Sequence, residues 1–333
     1  DINVIARDYK TVIWLPPFHD MGLIGGVLTP VFAGAQVTLM SPLTFLKNPF
    51  VWLKAITDEK ARVSGGPNFS YQYCVRKVSD EQLAQLDLSN WQVAFNGAEA
   101  IQLDSLNAFA DRFRGAGFDA RAFLPCYGLA EATLFVAGSP AMRGARVIAA
   151  DLDQLAHGEL KLEQPQHSDR TTPLVSSGVI AAETDVRIVD PNTHEACRDG
   201  KIGEIWVNSP AVAQGYWNKP SFSESVFRAR IKNDESGKTF MRTGDMGFMS
   251  DNELYVTGRI KELIIVAGRN HYPQDIEVSL QSSNPLFRKG CGAAFSTVDH
   301  GKEQLVVMQE VAGNGLQLQD FQQLALQGAR TIA

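Results

Sequence analysis

Residues 91–128 read WQVAFNGAEAIQLDSLNAFADRFRGAGFDARAFLPCYG, and the fold turns on how this stretch divides. WQVAFNGAE is a strand running into a turn, SLNAFADRFRGAG is a helix closed by glycine, and FLPCYG is a strand again. Upstream, TVIWLP (11–16) and QVTLM (36–40) read as strands. PFVWLKAITDEKA (49–61) reads as a helix, with Val51, Leu53, Ala55 and Ile56 spread over one broad face. This alternation predicts a mostly parallel α/β sheet with helices on both faces.

Downstream the texture changes twice. From about Ser139 to Ile180 the pattern fades, and HGELKLEQPQHSDRTTPLVSSG (157–178) reads as an insertion or loop region. After it, DVRIVD, GEIWVN and ELYVTG are short strands separated by turn residues, which predicts an antiparallel, barrel-like subdomain. From GRIKELIIVAGRN (258–270) onward come a strand, the helix PQDIEVSLQSS, a hairpin across AAFSTVDHGKEQLVVMQEV and the start of a terminal helix. The expected division is a large domain over 1–260, with α/β sheets to 180 and the barrel-like part from 181, then an incomplete α+β domain over 261–333. DINVIARDYK lacks an initiator Met and leads quickly into a strand, and the chain stops inside a helix, so we expect truncation at both ends.

Composition narrows the function. The 333 residues are 44% hydrophobic and 20% charged, an ordinary globular balance for about two domains. With 31 Lys and Arg against 37 Asp and Glu, the net charge of −6 argues against a general nucleic-acid binder. Cys74, Cys126, Cys197 and Cys291 form no CxxC pair, which suggests neither a zinc site nor a dense disulfide framework and fits a reducing, cytoplasmic compartment. Met21 to Leu46 carries no charge, but Gly25, Gly26, Pro30, Gly34, Gln36 and Pro42 interrupt it. A buried helix followed by a strand explains it better than a membrane span.

The chemistry sits in short, glycine-marked loops after strands, where α/β proteins bind ligands. These are WLPPFHDMGL, FNGAEA, LPCYGLAEAT, FMRTGDMG and YVTGRIKELIIVAGRN. In RTGD, Thr243 and Gly244 make a tight turn that presents Asp245, either to both hydroxyls of a ribose or as an ordinary turn aspartate. Tyr127 offers a face for stacking on a base or is a core tyrosine. Glu131 is a hard-cation ligand or a solvated helix residue. His19, beside Asp20, either faces a reacting carboxylate or is a satisfied core histidine.

Taken together and in this order, these loops resemble the adenylate-forming superfamily of acyl-CoA synthetases, luciferases and peptide-synthetase adenylation domains. The matches are YGLAE (127–131), GEIWV followed by GYWNKP (203–220), RTGD (242–245) and GRIKELI (258–264). WLPPFHDMGLIGG, CYGLAEATLFVAG and GRIKELIIVAGRNHYPQDIE resemble one branch in particular, the fatty acyl-AMP ligases. The resemblance implies that Gly97, Ala98 and Glu99 line the adenine site, with Tyr127 and Gly128 against the base. It implies that Asp245, assisted by Arg259, holds the ribose, that Glu131 binds Mg²⁺, that His19 lies near the acyl carboxylate and α-phosphate, and that Lys261 is a hinge. It further implies use of ATP and Mg²⁺ to convert a fatty acid to acyl-AMP, then transfer to the phosphopantetheine of a holo acyl carrier protein. Two other readings stand beside it: an acyl-CoA synthetase with CoA as acceptor, and a non-catalytic acyl-adenylate binder. The superfamily's Ser/Thr/Gly-rich phosphate loop and its C-terminal lysine are absent from these residues, so the expectation is that this stretch alone has little activity.

Overall fold

Five short apolar strands build the parallel half of the sheet: β1 (Lys10–Ile13), β2 (Gln36–Leu39), β3 (Val63–Gly65), β4 (Val93–Asn96) and β5 (Phe123–Leu129). Their order is β2-β1-β3-β4-β5, all parallel. The computed structural model describes residues 8–160, 162–163, 171–266, 269–299, 302–313 and 315–332. The remaining residues, which include parts of the polar stretch after Gly158, of GRIKELIIVAGRN and of the last hairpin, lie outside the described residues.

The parallel half is held by aromatic packing. Trp52, Trp91, Tyr71, Phe109 and Phe113 are fully buried. Trp52 meets Trp91 edge-on at 5.4 Å between ring centres, and Tyr71 meets Phe109 at 5.1 Å. Such pairs add about 0.5–1.5 kcal/mol beyond the area they bury. The helix Leu103–Phe113 delivers Leu106, Phe109 and Phe113 to this core at spacings of three and four, and left-handed Gly117 closes the chain turn behind it.

From β5 the sheet turns antiparallel. β6 (Leu134–Gly138) pairs with β5. The segment read as a loop region is instead partly strand: β7 (Val147–Asp151), β8 (Leu162–Glu163) and β9 (Thr171–Val175) form a three-stranded sheet. Its register, Val147 opposite Val175, joins residues far apart in sequence, so no local periodicity marks it. β10 (Val179–Ile180), β11 (Asp185–Val189), β12 (Gly203–Asn208), β13 (Met241–Ser250) and β14 (Glu253–Arg259) then extend the main sheet in the order β11-β12-β13-β14-β10-β6-β5. The antiparallel strands thus share one eleven-stranded sheet with the parallel ones.

A second expectation is also corrected. Met21–Leu28 is a π-helix continued by the α-helix Thr29–Ala33, and it is not buried throughout. Met21, Gly22 and Gly26 face inward, whereas Val31 and Phe32 are 68% and 95% exposed. Glycines line the buried side because the helix lies against Pro16 and Ile13, which leaves its large apolar groups on the outer face.

The C-terminal region has β15 (Ile264–Val266) paired with β16 (Arg269–His271), and β17 (Phe287–Asp299) paired with β18 (Lys302–Val311). The helices Pro273–Ser283 and Leu318–Ile332 bring Leu280 and Leu324 to a small core with Phe287. Among the described residues no helix is long and apolar enough to cross a membrane.

Candidate active site

Three strands bring together residues far apart in sequence. Asp245 on β13 sits opposite Arg259 on β14, whose Nε donates to Asp245 Oδ1 at 3.0 Å. The Tyr127 hydroxyl, on β5, donates to Asp245 Oδ2 at 2.6 Å. In the sheet order β14, β10 and β6 lie between β13 and β5, so the sheet must curl for this bond to form. Asp245 is 5% exposed, and burial raises its carboxyl above the ordinary aspartate value although Tyr127 and Arg259 pull it down. Burial first, and then the Asp245 charge, push the Tyr127 hydroxyl well up. A carboxylate offers about four lone-pair positions, so two remain for hydroxyls of a ligand after these two bonds.

Asp245 projects because β13 bulges. Glu204 pairs with Met246 and Trp206 with Arg242, so Thr243, Gly244 and Asp245 together face Ile205 alone. Gly244 takes φ 74°, which a residue with a side chain adopts only under strain. The Thr243 hydroxyl donates to the Ile205 carbonyl at 2.7 Å and accepts from the Asp245 amide at 3.0 Å.

Glu131 follows β5 in the short 3₁₀ turn Ala130–Ala132. Its Oε1 accepts from the Tyr216 hydroxyl at 2.7 Å, and its backbone carbonyl accepts from the Ala213 amide at 2.8 Å. Tyr216 stacks on Phe222 at 5.3 Å, and burial together with the Glu131 bond pushes its hydroxyl up to about 12. The loop is tight: a Cβ on Gly128 would lie 1.6 Å from the Leu134 carbonyl oxygen, so only glycine fits. Glu131 Oε2 has no protein partner among the described residues. One carboxylate with a free oxygen suits a cation that takes most of its other ligands from substrate phosphates and water, as Mg²⁺ does. Among the described residues no group of three or more His, Cys, Asp or Glu is arranged to hold a metal by itself.

The other expected residues are placed unevenly. Gly97 lies against β5, where a Cβ would come within 2.8 Å of the Cys126 carbonyl, and Ala98 adopts a left-handed φ of 70°. This strained backbone at the end of β4 borders the strand carrying Tyr127. The Glu99 carboxylate accepts from the Phe69 amide at 2.7 Å, at the start of the helix Asn68–Lys77. This bond anchors the loop to that helix. His19 is more than half exposed and is no core histidine: its Nδ1 lies 2.6 Å from Asp20 Oδ1, at the head of the π-helix. No hydrogen bond or ion pair joins His19 to Tyr127, Glu131 or Asp245. Lys261 is exposed in the 3₁₀ turn Ile260–Glu262, directly after Arg259.

One contributor escaped the sequence reading. Tyr216 lay inside the quoted GYWNKP block without a role, and its position in that motif was the available signal.

The model of the AMP-binding enzyme family matches residues 3–217. The chain is 41% identical over 307 residues to a medium-chain fatty-acid–acyl-carrier-protein ligase of Moorena producens, covering 92% of this chain and 52% of that protein. It is 41% identical over 311 residues to a putative fatty-acid–CoA ligase of Mycobacterium tuberculosis, with the same coverage. Among solved structures it is similar to a fatty acyl-adenylate ligase from L. pneumophila in complex with acyl adenylate and pyrophosphate. There the TM-score is 0.77 and the identity 42%, covering 99% of this chain and 58% of that one. The chain spans about half the length of the curated relatives it matches.

Proposed function

Because the chain belongs to the AMP-binding enzyme family, we propose that the intact protein activates a fatty acid with ATP to acyl-AMP, releasing pyrophosphate. The acyl group then passes to the phosphopantetheine thiol of a holo acyl carrier protein, where a thioester forms as the acyl–phosphate bond breaks and AMP leaves. The observation that carries this reading is the buried Asp245 carboxylate, held by Tyr127 and Arg259 with lone pairs to spare, beside the Glu131–Tyr216 pair.

In this reading the ribose hydroxyls donate to Asp245, and the Tyr127 ring and the backbone of Gly97, Ala98 and Glu99 enclose the adenine, with Gly128 letting the chain approach. Arg259 balances the charge of Asp245, so that a nucleotide does not meet an uncompensated anion. His19, at the head of the exposed π-helix, faces the acyl carboxylate as it attacks the α-phosphorus. Glu131 holds Mg²⁺, which when bound neutralises charge on the phosphates. Lys261 is the hinge between the large and small domains, and closure of the small domain shields the reactive anhydride from water. ATP and reduced carrier thiols place the protein in the cytoplasm.

The carrier protein is favoured as acceptor by the Moorena relative, and CoA by the mycobacterial one at equal identity. Presenting the intact protein with acyl-AMP and either holo carrier protein or CoA separates them. Thioester on the carrier protein is the expected product, and thioester formed only with CoA replaces the first reading by the second.

A further inference from the structure

Glu204 is a carboxylate with 2% exposure that the mechanism above does not use. Its Oε2 accepts from Trp206 Nε1 at 2.9 Å and from Arg242 Nε at 3.0 Å, and Arg242 Nη2 lies 2.8 Å away in the ion pair. Its Oε1 accepts from the Gly244 amide at 3.1 Å. That amide lies in the middle of the bulge, where three residues of β13 oppose one of β12 and the ladder supplies no partner for it. The indole and the guanidinium pin one oxygen of Glu204, and the other oxygen pins the bulge. The guanidinium is itself held from the far side, where Arg242 Nη1 donates to His194 Nε2 at 3.2 Å.

We propose that Glu204 is a positioning residue of the nucleotide site: it fixes the bulge so that Asp245 meets the ligand already oriented. This rests on the reading of Asp245 as the ribose ligand. Thr243 ties the bulge locally, and Glu204 ties it to the neighbouring strand, so loss of Glu204 leaves Asp245 present but loosely aimed. The effect falls on ground-state and transition-state binding alike, and so on KM more than on kcat.

The test uses the intact protein, a non-hydrolysable acyl-adenylate analogue as the titrant, and steady-state kinetics in ATP. Glu204→Gln keeps the shape and removes the charge that holds Arg242. The expected result is about tenfold weaker analogue binding and a similar rise in KM for ATP, with kcat changed by less than about threefold, the scale of a lost charge-assisted hydrogen bond. Glu253→Gln is the control, since Glu253 is equally buried and paired to arginine but lies away from the bulge. Its expected change in affinity is less than about twofold. The proposal is overturned if Glu204→Gln binds as the parent does, or if both variants weaken binding equally. If Glu204→Gln does not fold, Arg242→Lys keeps the positive charge but loses the two-point grip on Glu204. It is expected to weaken binding by about threefold or more, and unchanged binding overturns the proposal. Asp245→Ala separates the two levels: if it leaves affinity unchanged, the ribose reading itself falls.

Discussion

The two halves of the main sheet bury different chemistry. Among the described residues, the polar side chains buried in the parallel half are neutral: Thr11, Ser64, Asn68, Ser70, Asn96 and Ser105. The buried carboxylates Glu204, Asp245 and Glu253 all lie on β12, β13 and β14 of the antiparallel half. Aromatic rings form one connected core in the parallel half, with Trp14, Phe45, Trp52, Tyr71, Trp91, Phe109 and Phe123 together, whereas the buried rings of the antiparallel half, Phe248 with Tyr255 and Trp206 with Phe240, fall in separate clusters. One half is stabilised by apolar area and shape, which tolerate no charge. The other holds charge in fixed positions and needs hydrogen bonds to do so. A change in the aromatic core of the first half should therefore be read as stability, and a change at the Asp245 bulge of the second as binding.

The largest expected effect tests the first part of that division. Trp52 is fully buried, and its Nε1 donates to the Ser64 hydroxyl at 2.8 Å, which in turn donates to the Val12 carbonyl at 2.5 Å. Trp52→Ala should destabilise the intact protein by about 3–5 kcal/mol, read by chemical denaturation, because it leaves a large cavity and takes from the buried Ser64 hydroxyl its hydrogen-bond donor. Affinity of the remaining folded molecules for an acyl-adenylate analogue should stay within about twofold. A large affinity loss at full stability would break the comparison.

Acid sharpens the comparison inside the antiparallel half, where two buried carboxylates shift in opposite directions. Burial pulls Glu253 up, but hydrogen bonds from Ser176 at 2.5 Å and Arg143 at 2.6 Å overcome it and leave the carboxyl below the ordinary glutamate value. Its stabilisation is present above about pH 4.3 and is lost as pH falls through the lower folded value. Asp245 is shifted upward, so the folded state holds that proton more tightly, and stability from this group rises as pH falls through its folded value towards about 3.9. In denaturation series against pH, Glu253→Gln should flatten the acid loss of stability and Asp245→Asn should steepen it. Equal changes from both would mean that the bulge does not bury Asp245 as described.

The same contrast explains what could be read from sequence. The parallel strands β1, β2, β4 and β5 and the helix Leu103–Phe113 were legible because each carries its own apolar run, whereas the three-residue β3 is too short to show one. RTGD was legible as a turn, since Thr and Gly are local signals. Its anchor was not: Glu204 lies 40 positions before Gly244, and the bond depends on a bulge in the β12–β13 register. Tyr216 and Glu131 are separated by 85 positions and meet only through the fold. The strands β7 and β9 were missed for the same reason, because Val147 finds its partner at Val175 across a polar segment. Short-range patterns show where chemistry is presented, whereas the contacts that hold it are long-range.

The smallest expected effect compares two tyrosine hydroxyls, one in the aromatic core of the parallel half and one on β5, where the sheet turns antiparallel. The Tyr127 hydroxyl donates to the Asp245 carboxylate at 2.6 Å, and the Tyr71 hydroxyl donates to the Phe95 carbonyl at 2.8 Å. That carbonyl also accepts from the Gly66 amide at 3.1 Å, so removing the Tyr71 hydroxyl leaves it satisfied. Tyr71→Phe should cost only about 1 kcal/mol of stability and leave analogue affinity unchanged. Tyr127→Phe keeps the ring but takes from Asp245 a bond that lowers its pKa, so the carboxyl rises further. Analogue affinity should fall about threefold to fivefold at neutral pH, and the acid limb of binding should move to higher pH, because Asp245 is protonated sooner. If the two variants instead lose stability alike and neither shifts the pH dependence of binding, Tyr127 is a packing residue like Tyr71. Asp245 would then be held for the ligand by β13 and β14 alone, with β5 wholly on the structural side.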